Sequence, residues 1–217
     1  MALSQRISFI GGGNMASALI QGLIAAGTAR PEQITASDVR EAALRELRDK
    51  HGIHTTTDNA LACGADIVVL SVKPQVFASL LTEIGAKLGA DTLVISIAAG
   101  VPLSAIEARL GEARVVRAMP NTPALVGAGA TALATGKHAT QADGAVAEQI
   151  FQSVGITVSV PEELMDAVTA VSGSGPAYVF LLAEALTEAG VRVGLPLEAA
   201  SKLATQTVYG SGKLLHG

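Results

Sequence analysis

The stretch Arg6-Ile7-Ser8-Phe9-Ile10-Gly11-Gly12-Gly13-Asn14-Met15-Ala16 decides how the rest of the chain is read. Arg6 to Ile10 is a short apolar run of strand character. The motif Gly-x-Gly-x-x-Ala follows, closed by Ala16. Met15, Leu19, Leu23 and Ile24 then recur at helical spacing up to Gly27, an expected C-cap. Strand, glycine turn and helix, in that order, are the setting in which this motif holds a dinucleotide. Gly11 permits the tight turn, Gly13 lets a pyrophosphate approach the backbone, and Ala16 lets the helix pack close to the strand. The helix N-terminus then faces the negative charge.

The chain has 217 residues, room for one large domain or two small ones. Apolar residues make up 49% and charged residues 16%, which supports a substantial core and argues against disorder. Aromatics are 3%, a composition suited to close helix–sheet packing and not to stacking on bases. The net charge of -4, with no run of Lys or Arg, speaks against nucleic acid as a partner. Cys63 has no second cysteine to pair with and reads as a small packing residue in a reducing cytoplasm. Met1-Ala2-Leu3-Ser4-Gln5-Arg6 is too short and polar for a signal peptide, and no apolar run reaches the ~18 residues of a membrane span.

Further along, short apolar strands alternate with helical stretches. Ile34–Asp38 is a second strand, followed by a helix over Arg40–Lys50. Ile67–Val72 is a continuous apolar run, as in a parallel strand buried on both faces, and a helix is expected over Pro74–Leu88. Leu93–Ile97, a helix over Pro102–Leu110, and Arg114–Met119 continue the alternation. Thr131–Ala134 and Thr157–Val160 flank a helix over Thr140–Ser153. Repeated β-α units of this kind predict a doubly wound, mostly parallel sheet over residues 1–160. From Pro161 onward no strand is visible, so 161–217 reads as all-helical, with helices over Pro161–Val171, Pro176–Ala189 and from Pro196. The middle helix is apolar nearly all round (Tyr178, Val179, Phe180, Leu181, Leu182, Leu186). Such a helix needs cover on every side, which predicts packing against another subunit.

In a doubly wound sheet, ligands bind beyond the carboxyl ends of the strands. Those ends are Gly11–Met15, Ser37-Asp38, Ser71-Val72-Lys73-Pro74, Ile97-Ala98-Ala99-Gly100 and Met119–Pro123. Asp38 is placed either to accept hydrogen bonds from an adenosine ribose, favouring NAD, or to cap a helix; Arg40 nearby is placed to hold the 2'-phosphate of NADP. Lys73 either meets a cofactor phosphate or ribose or is a solvated surface lysine. Asn121, stiffened between two prolines, either orients nicotinamide or substrate or belongs to a plain turn. Ser172-Gly173-Ser174-Gly175, ahead of Pro176, is either a carboxylate cradle at a helix N-terminus or a hinge. His51, His54, His138 and His216 stand at no metal-ligand or triad spacing; all read as surface residues, and no metal is expected.

Four blocks resemble the Δ1-pyrroline-5-carboxylate reductase family: Phe9–Ala16, Ser71-Val72-Lys73-Pro74-Gln75, Arg117–Pro123, and Asp166–Tyr178, the last being the most specific. The resemblance runs from the first strand to the end of the chain. It implies a Rossmann-type domain followed by a helical dimerisation domain, assembled as a homodimer or a ring of dimers. It implies hydride transfer from NADPH, with NADH possible, to the C=N carbon of a cyclic imino acid, giving proline. The resemblance places pyrophosphate on Gly11, Gly12, Gly13, Asn14 and Met15, and the adenosine ribose near Asp38, Arg40 and Asn59. Ser71, Val72, Lys73, Pro74, Ala98 and Ala99 line the cofactor further along. Glu162 and the Ser172–Gly175 segment belong to the substrate end. No residue is assigned as a catalytic acid. Family members usually continue past this point through a Ser-Pro-Gly-Gly-Thr-like loop that contacts substrate, so residues 161–217 are expected to be an incomplete helical domain.

Two other readings remain at this level. One is a β-hydroxyacid dehydrogenase, which would need a catalytic lysine on the helical part; Lys202 and Lys213 lack a supporting motif. The other is a dinucleotide-binding oligomerisation protein without activity.

Overall fold

The computed structural model describes residues 2–216, and of His216 the backbone alone. The chain divides into two compact units, one ending at Gly173 and the other starting at Ser174.

The first unit is built on an eight-stranded sheet of order β3-β2-β1-β4-β5-β6-β7-β8. Its strands are β1 (Ile7–Ile10), β2 (Ile34–Ser37), β3 (His54–Thr56), β4 (Ile67–Leu70), β5 (Leu93–Ser96), β6 (Arg114–Met119), β7 (Gly129–Thr135) and β8 (Gly155–Ser159). The helices between them are α1 (Asn14–Ala25), α2 (Glu41–His51), α3 (Asn59–Ala62), α4 (Pro74–Ile84), α5 (Leu103–Leu110) and α6 (Gln141–Gln152), with α7 (Met165–Val168) after β8. The first six strands are parallel neighbours, and strand order reverses between β1 and β4. That reversal opens a crevice beyond the carboxyl ends of β1 and β4.

Side chains alternate across the sheet and supply two cores. Ile7 and Phe9 of β1 face α1, α2 and α6 through Leu19, Leu23, Leu44, Leu47, Ile150 and Phe151. Ile10, Val68 and Val94 face the other side, against Phe77, Leu81, Ile84, Ile106 and Met165. Each large side chain so buried contributes roughly 1.5–3 kcal/mol. Cys63 packs in the second core, where burial pushes its thiol up to about 11 and keeps it inert.

The structure departs from the sequence reading in several places. β7 runs antiparallel to β6. The link between them holds one 3-10 turn, Thr122–Val126, and a parallel return would need a longer crossover. α4 ends at Ile84, where Gly85 caps it, instead of running on to Leu88. The stretch expected as one helix over Pro161–Val171 is a 3-10 turn (Glu162–Leu164), α7, and a π-helical turn (Thr169–Gly173). Thr169 and Ser172 each return a hydroxyl hydrogen bond to the carbonyl four residues back, Met165 and Val168, which loosens regular helix. Finally, His51 and His138 are half-buried, not on the surface; His51 Nε2 has no hydrogen-bond partner among the described residues, and burial, then Lys50, lowers its pKa.

The second unit is a helical hairpin of α8 (Gly175–Arg192) and α9 (Leu197–His216). Gly194, at φ +103, makes the turn, and Gly190 lets Ala200 approach to where a Cβ would sit 3.0 Å away. Among its described residues the buried ones are Ala200 and Ala204. Tyr178, Phe180, Leu181, Leu182, Leu203 and Tyr209 are exposed. No helix among the described residues is long and apolar enough to cross a membrane.

Candidate functional site

The fingerprint loop is shaped by contacts that sequence spacing hides. Gly11 has φ +103, and a Cβ there would meet the Ser71 carbonyl oxygen at 2.5 Å, so β4 admits no side chain at this position. The Ser71 hydroxyl reaches back to the carbonyls of Ile10 and Gly11, at 3.2 and 2.5 Å. Gly12 donates its N–H to Asp38 Oδ2 at 2.8 Å. Gly13 is the N-cap of α1 and makes no side-chain cap, and the first turn of α1 carries no acid. A Cβ at Gly13 would meet no atom within 4 Å. The open N–H groups at the start of α1 therefore face free space, the arrangement that receives an anion. Ala16 is fully buried against the sheet.

At the end of β2, Asp38 caps no helix; the N-cap of α2 is Arg40. The Asp38 carboxylate takes the Arg40 N–H at 2.8 Å and pairs with the Arg40 guanidinium at 3.1 Å. Burial alone would raise the Asp38 pKa. The Arg40 side chain, the N–H groups of Arg40 and Gly12, and the Arg40 charge outweigh it and hold the carboxyl below its ordinary value. Side-chain exposure is 9% for Asp38 and 63% for Arg40, so the accessible charge at this edge is positive. Asn59 opens α3; its Oδ1 accepts from the Ser37 hydroxyl at 2.6 Å, and its Nδ2 donates to Glu83 Oε1 at 3.1 Å.

These groups surround a cleft of about 690 Å³ at the β1/β4 switch point. Gly11, Gly13 and Asn14 line it from the fingerprint, Asp38, Arg40 and Asn59 from the β2 side, and Ser71, Val72 and Lys73 from β4. Lys73 is exposed and forms no ion pair among the described residues. Gly12, Met15, Pro74, Ala98 and Ala99 are outside the lining. Sequence reasoning missed Val76, Ser79, Leu80 and Glu83 of α4, which complete the wall. Their signal was available: they recur at helical spacing after Lys73-Pro74, on the face that follows from Lys73. The uncapped start of α1, the bare Gly13 and the two cations fit the phosphates of a dinucleotide.

The substrate candidates lie at other strand ends. Asn121 is buried; its Nδ2 donates to the Ser172 carbonyl at 3.1 Å, and its Oδ1 accepts the Ala130 N–H at 2.9 Å. The amide thus clamps the π turn to the start of β7. A Cβ at Gly173 would lie 2.8 Å from Met119 Cε. The Ser172 hydroxyl is spent on Val168. Ser172 and Gly173 belong to the π turn, while Ser174 is the N-cap of α8 and Gly175 its first residue, so the segment is helical rather than an open loop. Glu162 bonds the Leu103 N–H at 2.5 Å and Arg117 Nη1 at 3.0 Å. Among the described residues no group of three or more His, Cys, Asp or Glu is placed to hold a metal.

Comparison with known proteins gives the lineage. Residues 6–100 match a family described as NADP oxidoreductase, coenzyme F420-dependent, and residues 162–217 match the pyrroline-5-carboxylate reductase dimerisation domain. The chain is 50% identical over 213 residues to a pyrroline-5-carboxylate reductase of Methanosarcina acetivorans, covering 97% of this chain and 79% of that protein. The chain belongs to the pyrroline-5-carboxylate reductase family. Identity to the Synechocystis pyrroline-5-carboxylate reductase is 46% over 215 residues, 98% of this chain and 80% of the relative. A solved pyrroline-5-carboxylate reductase from Coxiella burnetii superimposes with a TM-score of 0.92 at 42% identity, covering 98% of this chain and 80% of that one. The Plasmodium falciparum pyrroline carboxylate reductase, solved with NADP bound, gives 0.88 at 32% identity, covering 100% and 80%.

Proposed function

We propose that this chain reduces 1-pyrroline-5-carboxylate to L-proline with NADPH. The observation that carries the reading is the 50% identity to a pyrroline-5-carboxylate reductase across nearly the whole chain. When bound, the dinucleotide supplies a hydride to the C=N carbon, and a proton on the ring nitrogen completes the secondary amine.

The residues of this chain then have defined tasks. Gly13, Asn14 and Met15 bring backbone N–H groups to the pyrophosphate, while Gly11 and Gly12, whose N–H groups are held by the Ser37 carbonyl and Asp38, shape the loop around it. Arg40 offers its guanidinium to a 2'-phosphate, and Asp38, already engaged by Gly12 and Arg40, holds it there instead of competing for ribose. This arrangement favours NADPH over NADH. Asn59, Ser71, Val72 and Lys73 continue the cofactor wall, with Pro74 behind it as the first residue of α4 and Ala98 and Ala99 beyond it after β5. Asn121, Glu162, Ser172 and Gly173 form the substrate end, with Ser174 and Gly175 opening α8.

A cyclic imine protonates readily and its iminium accepts hydride, so the protein has mainly to align two reactants. Alignment alone is worth up to about 7–11 kcal/mol. Residues 1–160 serve as the dinucleotide domain and 161–217 as the dimerisation and substrate domain. The exposed apolar side chains of α8 and α9 support self-association as a homodimer, alone or in a ring of dimers. A reducing cytoplasm suits the free, buried Cys63.

The test is NADPH oxidation by the purified chain with pyrroline-5-carboxylate, with proline measured as product and NADH run alongside. Proline formed in step with NADPH consumed supports the reading. NADPH binding with no turnover of the imine would overturn it, and oxidation of a 3-hydroxy acid with NADP would assign the chain to the β-hydroxyacid dehydrogenases instead.

A further inference from the structure

The proposed function leaves one buried charge unused. Arg117 sits in β6 with an exposure of 5%. A guanidinium so placed needs a partner, because an unpaired buried charge is strongly destabilising. The partner is Glu162, which follows β8. Ser159, the last residue of β8, is level with Leu133, and Leu133 with Ala118, so the chain leaves the sheet beside Arg117.

The pairing divides the two carboxylate oxygens unequally. Oε1 accepts from Arg117 Nη1 at 3.0 Å and from the Leu103 N–H at 2.5 Å. Oε2 accepts no hydrogen bond from any described residue, and the side chain is 29% exposed. Leu103 begins α5, directly after the turn that carries Ala98 and Ala99. Arg117 is level with Ser96, the last residue of β5. The free oxygen therefore stands at the carboxyl-end rim, next to the segment assigned to the cofactor.

We propose that Arg117 is a positioning residue: together with the Leu103 N–H it ties down Oε1 of Glu162, so that Oε2 is presented to the cationic ring nitrogen of the protonated imine. This rests on the reading of Glu162 as a substrate-end residue. A glutamate side chain has three rotatable bonds, and fixing it before substrate arrives removes that ordering from the binding step. Arginine suits the task because its planar fork fixes direction as well as charge. Lysine would keep the buried cation but hold Oε1 as a point charge.

The experiment compares Arg117→Lys, Glu162→Gln and the double variant by KM and kcat for pyrroline-5-carboxylate, Kd for NADPH, and Tm. Each single variant is expected to raise KM for the imine about tenfold, as for one weakened charge-assisted hydrogen bond, with the NADPH Kd unchanged. The double variant is expected to be no worse than Glu162→Gln, because Arg117 acts through Glu162. A lower Tm for Arg117→Lys with an unchanged imine KM, while Glu162→Gln raises that KM, would overturn the proposal and leave Arg117 a purely structural ion. An unchanged KM in Glu162→Gln would instead remove Glu162 from the substrate end, and the proposal with it. Arg117→Gln, which retains an N–H donor, gives the same comparison if the lysine variant does not fold.

Discussion

The Asp38 carboxylate and the Arg40 guanidinium, two positions apart in the chain, close on each other at 3.1 Å at the edge of the dinucleotide cleft. One residue therefore screens the other, and Arg40 is the charge that a ligand meets. Arg40→Ala is expected to raise KM for NADPH about tenfold, the value of one charged hydrogen bond, and to leave KM for NADH nearly unchanged or improved. Steady-state kinetics with both cofactors checks this. An unchanged preference would show that Arg40 does not hold the 2'-phosphate.

The two glycines of the fingerprint should respond in opposite ways. Gly11→Ala forces a Cβ to 2.5 Å from the Ser71 carbonyl oxygen at φ +103, and is expected to cost about 2 kcal/mol or more of stability. Gly13 has an ordinary φ of -82 and empty space around it. Gly13→Ala should keep stability within about 0.5 kcal/mol, yet weaken NADPH binding about tenfold or more, because its methyl fills the anion's space. Thermal melts and a binding titration separate the two effects. A Gly13→Ala protein that binds NADPH normally would move the pyrophosphate away from this loop.

Acid should act through Asp38. Its carboxyl is held below its ordinary value of 3.8, so the stability it contributes is complete above that pH and is lost as pH falls through the lower, folded-state value. Asp38→Asn is expected to be less stable than the parent near neutrality, by roughly 1 kcal/mol. The gap should close below about pH 4. Tm measured against pH for both proteins checks the sign; a gap that widened in acid would contradict it.

The fingerprint was legible because everything that makes it lies within one strand, one turn and one helix. What holds it in place was not. The Gly12 N–H and Asp38 are 26 positions apart, and Arg117 and Glu162 are 45 apart. No local pattern joins such partners, and nothing beside Arg117 in the strand Arg114–Met119 points to Glu162. β3 escaped notice because His54-Thr55-Thr56 is a short, polar edge strand with no buried face to imprint alternation. The π turn escaped for a related reason: Thr169 and Ser172 keep helical spacing while their hydroxyls loosen the backbone. The apolar α8 was correctly read as a helix lacking cover.

That helix sets the last prediction. Phe180 and Leu181 are 66% and 64% exposed on α8. Phe180→Glu is expected to weaken self-association at least about tenfold, seen by light scattering as a shift from dimer to monomer. A variant of unchanged mass would put the interface elsewhere.

A hairpin whose buried residues are Ala200 and Ala204, with its aromatic and leucine side chains turned outward, has little of its own to melt. If a second copy supplies the missing cover, folding and assembly become one reaction, and dilution works on this protein as a denaturant does. Each tenfold drop in concentration removes about 1.4 kcal/mol from the assembled state. The amount of the protein present would then help to set how firmly each molecule holds its shape.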